Sequence, residues 1–266
     1  MPYDISFFLK LYTKRCEKKE YFCRQITTMR KNIPNLITCC NLICGCLSIL
    51  CATAGNLPLA SYLILASAFF DFFDGFSARM LKVSSPMGVD MDSLSDIVSF
   101  AVAPTIILFV FLNLLLQELA PDVRESFVRY LPYLVFVIPA FSAFRLAKFN
   151  HDERQHTEFR GLATPANAMF IGFLHFSALR IPALNNFWLV LCLSLVFAVL
   201  LVTDLPMFSL KFKNLHFKEN MIRYIFLVVA VVLFVIFRFG AFPIIILVYI
   251  LTSLVTLPLK NSLYAA

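Results

Sequence analysis

The sequence predicts an all-α, polytopic membrane bundle of about eight transmembrane helices, preceded by a basic N-terminal surface segment. Three observations predict it. Of 266 residues, 60% are hydrophobic and only 15% charged, with a mean hydropathy of +0.81. A soluble domain carries about 25% charged residues, so this chain has too few to cover a water-facing surface. Nearly uncharged stretches of about 20 residues, the length that crosses about 30 Å of hydrocarbon, recur along the chain. Thirty phenylalanines against seven glycines exclude a collagenous, linker-rich or disordered chain.

Taken in order, the spans read as 33–55, 57–81, 97–116, 131–148, 162–179, 181–203, 224–237 and 239–259. The second carries acids late in its length. The seventh is short, but Arg223 and Arg238 flank it and can snorkel outward. The last two part only near Arg238–Gly240, so seven spans with one re-entrant segment is the alternative. Three regions follow: a basic amphipathic segment over 1–32, a core of six spans over 33–204, and two further spans over 205–266.

An even number of spans puts both termini on one side. With the N-terminus inside, nineteen of the 23 Lys and Arg residues fall on the inner side, leaving Arg124, Arg129, Arg180 and Arg238 outside. That bias predicts cytoplasmic termini in a cell membrane. The net charge of +7 then describes an inner face that attracts anionic lipids. Nucleic acid is not an expected partner, since no soluble module is left to bind it. Ala52-Thr53-Ala54 resembles a signal-peptidase site, but the long basic region before it and the length of the run favour a retained first helix. Five of the eight cysteines crowd that same run, where they read as small hydrophobes. The four histidines share no ligand spacing, and His175 reads as a packing residue.

Five of the sixteen acidic residues fall between 71 and 96. Asp71 and Asp74 are three apart at the inner end of the second helix, on one face. Asp92 and Asp96 are four apart at the start of the third, again on one face. Asp90 is two residues from Asp92 and points elsewhere. Gly88, beside Pro86, falls where the chain must turn back. Two carboxylate pairs thereby converge at the inner boundary. A carboxylate near a helix centre in the bilayer costs about 2.5–3.5 kcal/mol, less toward the interface, and four together also repel. Divalent cations among them remove that conflict, and oxygen ligands suit Mg²⁺ or Mn²⁺. A solvated helix-end cluster is the alternative. Gly75 and Ala78 clear bulk beside the acids, and Arg79 offers a planar fork for phosphate. A polyphosphate ligand bridged by metals fits this chemistry.

Asp71-x-x-Asp74-Gly75-x-x-Ala78-Arg79, eight residues, then Gly88-x-x-x-Asp92-x-x-x-Asp96 resembles the signature of the CDP-alcohol phosphotransferases at every defining position. The resemblance implies a membrane bundle that transfers the phosphatidyl group of a CDP-linked lipid to an alcohol and releases CMP. It implies that Asp71, Asp74 and Asp92 hold divalent metals, with two ions expected. Asp96 joins the metal set with them and is the candidate general base. Gly75, Ala78 and Arg79 match positions that contact the CDP moiety, and Asn35, Thr38 and Gly88 are expected to meet the same CDP-lipid. A homodimer is also implied.

The acceptor is read from other segments. Residues 33–45, with Asn35 and Thr38, look like the first helix of bacterial phosphatidylserine synthases, as do Gly88 to Pro104 and Ser142 to Ala168. Ala163 stands where that pattern has proline. The resemblance covers roughly 33–180 and implies CDP-diacylglycerol and L-serine as substrates. Arg145 and Lys148 share a face and can meet the serine carboxylate or a lipid phosphate. Glu158 can pair with the ammonium, and Asn167 can line the pocket or bond across helices. Plain inner-side flanking is the other reading of these charges. Arg145, Lys148, Arg154 and Arg160 could instead receive glycerol 3-phosphate or inositol phosphate. The rival from another class is a cation-coupled transporter. Transporters place their site at the midplane of repeated halves, whereas these acids sit at one boundary with no second copy.

Overall fold

The computed structural model describes residues 32–83, 85–151, 161–203, 205, 207 and 217–264, and every regular element among them is helical. The basic segment expected over 1–32 lies outside them except for Asn32. Helix α1 (Asn32–Thr53) is apolar along its length, and its five cysteines carry free thiols. Gly55, at φ +82°, turns the chain. The Asn56 side chain then caps α2 (Leu57–Leu81) by accepting the Leu59 N–H at 3.2 Å.

Helix α3 (Pro86–Gln117) is a 32-residue rod, opened by Ser85, whose hydroxyl accepts the Gly88 N–H at 3.0 Å. The expected span over 97–116 is therefore only its C-terminal part. Asp92 and Asp96 lie within its first turns, and Gly88 sits in the opening turn rather than in a connection. Residues Ile97–Val102 form a π-helical segment between two α-helical stretches. Pro104 explains its place. Its ring has no N–H and would crowd the carbonyl four residues back, Phe100, so the ladder widens there.

A ten-residue 3-10 stretch (Phe127–Phe136) leads into α4 (Val137–His151). The fifth expected span is broken into α5 (Thr164–Gly172) and α6 (Leu174–Ala178), with Phe173 outside helical geometry. A side chain from α2 occupies the break: Ser61 Oγ donates to the Gly172 carbonyl at 2.7 Å. Helix α7 (Phe187–Val202) has 16 residues, short for a full crossing. Helices α8 (Phe217–Phe237) and α9 (Ala241–Tyr264) form a hairpin through Arg238–Gly240, with Arg238 left-handed at φ +51°. Phe226 and Tyr249 meet across it, ring centroids 5.9 Å apart.

Among the described residues, five stretches are long and apolar enough to cross a membrane: Asn32–Thr53, Leu57–Leu81, Pro86–Gln117, Phe127–Phe149 and Asn220–Val255. The chain is thus a helical, multi-pass membrane protein. The expected eight differ where the fifth span breaks, where α7 falls short, and where α8 and α9 form one stretch. The C-terminal half of α3 is the core's axis: Ile107, Leu108 and Leu112 are fully buried, with α2, α5 and α7 packed around it. Phe170 of α5 stacks on Phe197 of α7 at 3.5 Å. His175 packs against Phe111 and Phe176, as a packing residue would.

Candidate active site

Three helices are tied together by hydroxyls. Thr38, Asn41, Gly45 and Ser48 recur on one face of α1 at spacings of three and four. Ser67 Oγ of α2 and Ser99 Oγ of the π segment both donate to the Asn41 carbonyl, at 3.0 and 3.1 Å. Ser95 Oγ donates to the Thr38 carbonyl at 3.3 Å, and Ser48 Oγ to the Ala60 carbonyl at 2.8 Å. Cross-helix bonds of this kind contribute about 0.6 kcal/mol each on average in membranes. Gly45 permits the approach, because a Cβ there would lie 2.9 Å from Ser99 Cα. Any side chain would force α1 off α3.

This junction sets the acids. Carboxylate oxygens of Asp71, Asp74 and Asp92 come within 4.8 Å of one another. Asp96 lies beside Asp71, within hydrogen-bonding reach. Asp74 is buried, and its Oδ2 accepts the Thr38 hydroxyl at 2.7 Å. Asp92 Oδ1 is buried with no donor facing it. Asp90 is exposed, as its spacing predicted. Three convergent carboxylates, one with a buried and unsatisfied oxygen, match the donor set of a hard divalent cation. The cluster can bind such a metal.

A cleft of about 590 Å³, its open mouth included, adjoins the cluster, with Asp74 and Asp92 in its wall. Of the positions expected to meet a CDP-lipid, Asn35, Thr38, Gly75, Ala78 and Gly88 line it. A Cβ at Gly75 would meet nothing within 4 Å, so the absent side chain widens the cleft. At Gly88 a Cβ would come within 3.1 Å of Asn35 Oδ1. Arg79 is outside the lining: it is exposed, and its Nε donates to the Gly75 carbonyl at 3.0 Å.

Opposite Asp96 is a second, closed group. Arg145 of α4 is within electrostatic reach of Asp96, and its Nη1 donates to Thr164 Oγ1 of α5 at 2.9 Å. The buried Arg145 Nε has no acceptor. Asn167, one turn beyond Thr164, is fully buried, and neither atom of its amide has a partner. Ser142 Oγ, one turn before Arg145, is also buried and unpaired. Lys148, a turn further along α4, is partly exposed. Glu158, like Arg154 and Arg160, falls outside the described residues. Buried polar groups are nearly always paired, so this concentration of unpaired ones calls for a partner beyond the described side chains.

Sequence reading did not single out Asn41, Ser142 or Thr164 for this region. A signal existed. Polar residues three or four apart in an apolar span must face the bundle interior, and Thr38–Asn41, Ser142–Arg145 and Thr164–Asn167 all have that spacing.

Comparison with known proteins bears on the same region. The family model for CDP-alcohol phosphatidyltransferases matches residues 31–236. The CDP-diacylglycerol–serine O-phosphatidyltransferase of Bacillus subtilis is 34% identical over 145 residues, covering 54% of this chain and 76% of that protein. The Helicobacter pylori (strain J99) protein of the same name is 31% identical over 140 residues, covering 52% of this chain. An archaetidylserine synthase of Methanothermobacter thermautotrophicus is 33% identical over 142 residues, again 52% of this chain. The match spans about half the length of the latter two relatives, 54% and 55%.

Proposed function

The chain belongs to the CDP-alcohol phosphatidyltransferase family, and from that premise we propose that it makes a phosphatidylserine-type lipid from CDP-diacylglycerol and L-serine, releasing CMP. One observation carries the reading: Asp96 is within electrostatic reach both of the three carboxylates beside the open cleft and of Arg145 in the buried polar group. A donor nucleotide and a small polar acceptor need such a pair of compartments, with a base between them. The serine in the relatives' names supports serine over glycerol 3-phosphate or inositol phosphate.

In the mechanism, Asp71, Asp74 and Asp92 hold divalent cation, Mg²⁺ or Mn²⁺, and two ions fit the motif. A metal held there would offset charge on the pyrophosphate and on departing CMP. Thr38 fixes the rotamer of Asp74 through its 2.7 Å bond. Gly75 and Ala78 admit the nucleotide, Asn35 and Gly88 border it, and Arg79 at the mouth takes a phosphate oxygen. The Arg145 guanidinium binds the serine carboxylate, while Asn167 offers both a donor and an acceptor to the rest of the amino acid. Lys148 and Glu158 complete the acceptor side. Asp96 accepts the hydroxyl proton as the serine oxygen attacks the lipid-side phosphorus. The new P–O bond forms as the bond to CMP breaks.

The proposal places this chemistry at the cytoplasmic face of a cell membrane, with both termini inside and residues 1–32 against anionic lipid. Residues 33–204 are the catalytic core, 205–266 an added pair of helices, and the working unit is a homodimer. Acceptor profiling tests the reading. Purified chain with CDP-diacylglycerol and Mn²⁺ should release CMP with serine, and far less with glycerol 3-phosphate or inositol 1-phosphate. Equal or better turnover with a phosphorylated acceptor would reassign the acceptor side.

A further inference from the structure

Asn41 is the residue on which α1, α2 and α3 converge, and nothing in the proposed mechanism uses it. It is fully buried. Its main-chain carbonyl is held from two sides by Ser67 and Ser99. One helical turn on, Gly45 leaves no space between α1 and Ser99. The backbone at Asn41 is therefore fixed relative to the π segment that begins immediately after Asp96. From that fixed point the side chain reaches Asp96, its Nδ2 donating to Oδ1 at 3.5 Å. The amide Oδ1 is buried without a donor. An unsatisfied buried acceptor disfavours keeping an amide here, so packing alone would be served better by leucine, which is close in size.

We infer that Asn41 is a positioning residue for the acceptor-activating carboxylate: its contact to Oδ1 holds Asp96 in one orientation while Asp71 adjoins it from the cluster side. The long contact suits this purpose, since it orients Asp96 without competing strongly for the lone pair that takes the proton. The π segment contributes by setting the rotation of α3 at Asp96 relative to α1. Without the amide, Asp96 is steadied only from the Asp71 side and loses its fixed orientation. This role rests on the transfer reaction proposed above and assigns a residue that reaction does not itself require.

The test uses full-length chain with CDP-diacylglycerol, serine and Mn²⁺. Asn41→Leu should lower kcat about 10- to 100-fold, the range typical when a residue orienting a functional carboxylate or ligand is removed. KM for serine and for CDP-diacylglycerol, and the Mn²⁺ midpoint, should stay within about twofold, because the residue touches neither substrate nor cation. Asn41→Gln, which keeps an amide, should recover part of the rate. Asn41→Asp preserves shape and both main-chain clamps, so it carries the test if the leucine variant does not fold; its kcat should fall at least as far. A purely structural role predicts a lower melting temperature with kcat per folded molecule unchanged, and that result overturns the inference. So does a rate loss matched by an equal rise in either KM or a shifted Mn²⁺ midpoint. A wild-type chain that releases no CMP with any alcohol overturns the transfer reading instead, and the positioning role with it.

Discussion

The two sides of Asp96 solve different problems. On the cleft side, the residues are small or acidic, open to the outside, and held by short hydrogen bonds such as Thr38 to Asp74. On the α4–α5 side they are larger, closed off, and left with unpaired atoms on Ser142, Arg145 and Asn167. The first is a preformed socket whose unmet need is positive charge. The second is a buried polar group whose unmet need is hydrogen bonds. A nucleotide-capped lipid arriving from the bilayer suits an open groove. A small zwitterion suits a closed chamber that repays its desolvation with directed contacts.

Mutations on the two sides should therefore fail differently. Asp96→Asn, at the boundary, has the largest expected effect: turnover falls about 1,000-fold or more while CDP-diacylglycerol still binds, because only the proton acceptor is removed. Binding lost in step with rate would make Asp96 a metal ligand first. Next is Arg145→Ala, which should raise KM for serine about 10- to 100-fold and leave KM for the lipid within about twofold. The reverse pattern would move Arg145 to phosphate recognition. Asn167→Leu sharpens the comparison further. It should slow serine transfer about tenfold yet melt no lower than wild type, since it removes a buried amide with no partner. A clear drop in melting temperature would make Asn167 structural. The smallest effect belongs to Thr38→Val. Losing one bond to Asp74 should shift the Mn²⁺ midpoint about three- to tenfold, with KM for serine unchanged.

These two sides also differed in how far the sequence revealed them. The acidic cluster was legible because helix geometry turns spacings of three and four into a shared face, and Asp71, Asp74, Asp92 and Asp96 are unusual in an apolar span. The polar chamber was only half legible. Arg145 and Asn167 are conspicuous for charge or polarity, whereas Ser142 and Thr164 resemble the many serines and threonines that bond within their own helix. Span limits followed hydropathy well for α1 and α2 and failed for α3, whose first turns are too polar to score as membrane yet continue the same rod. The break at Phe173 was invisible because a side chain from α2, distant in sequence, takes the Gly172 carbonyl. The π segment escaped notice for a related reason: Pro104 signals a disturbed ladder but not whether the helix kinks, ends or widens.

The division of labour between the two compartments can be tested by one binding measurement on three proteins. Wild type, Asp92→Asn and Arg145→Ala would each be titrated with CDP in the presence of Mn²⁺, and separately with serine. The account predicts a crossed result: Asp92→Asn loses CDP and keeps serine, whereas Arg145→Ala keeps CDP and loses serine. If both variants lose the same ligand, or each loses both, the two compartments are one site and the account is contradicted.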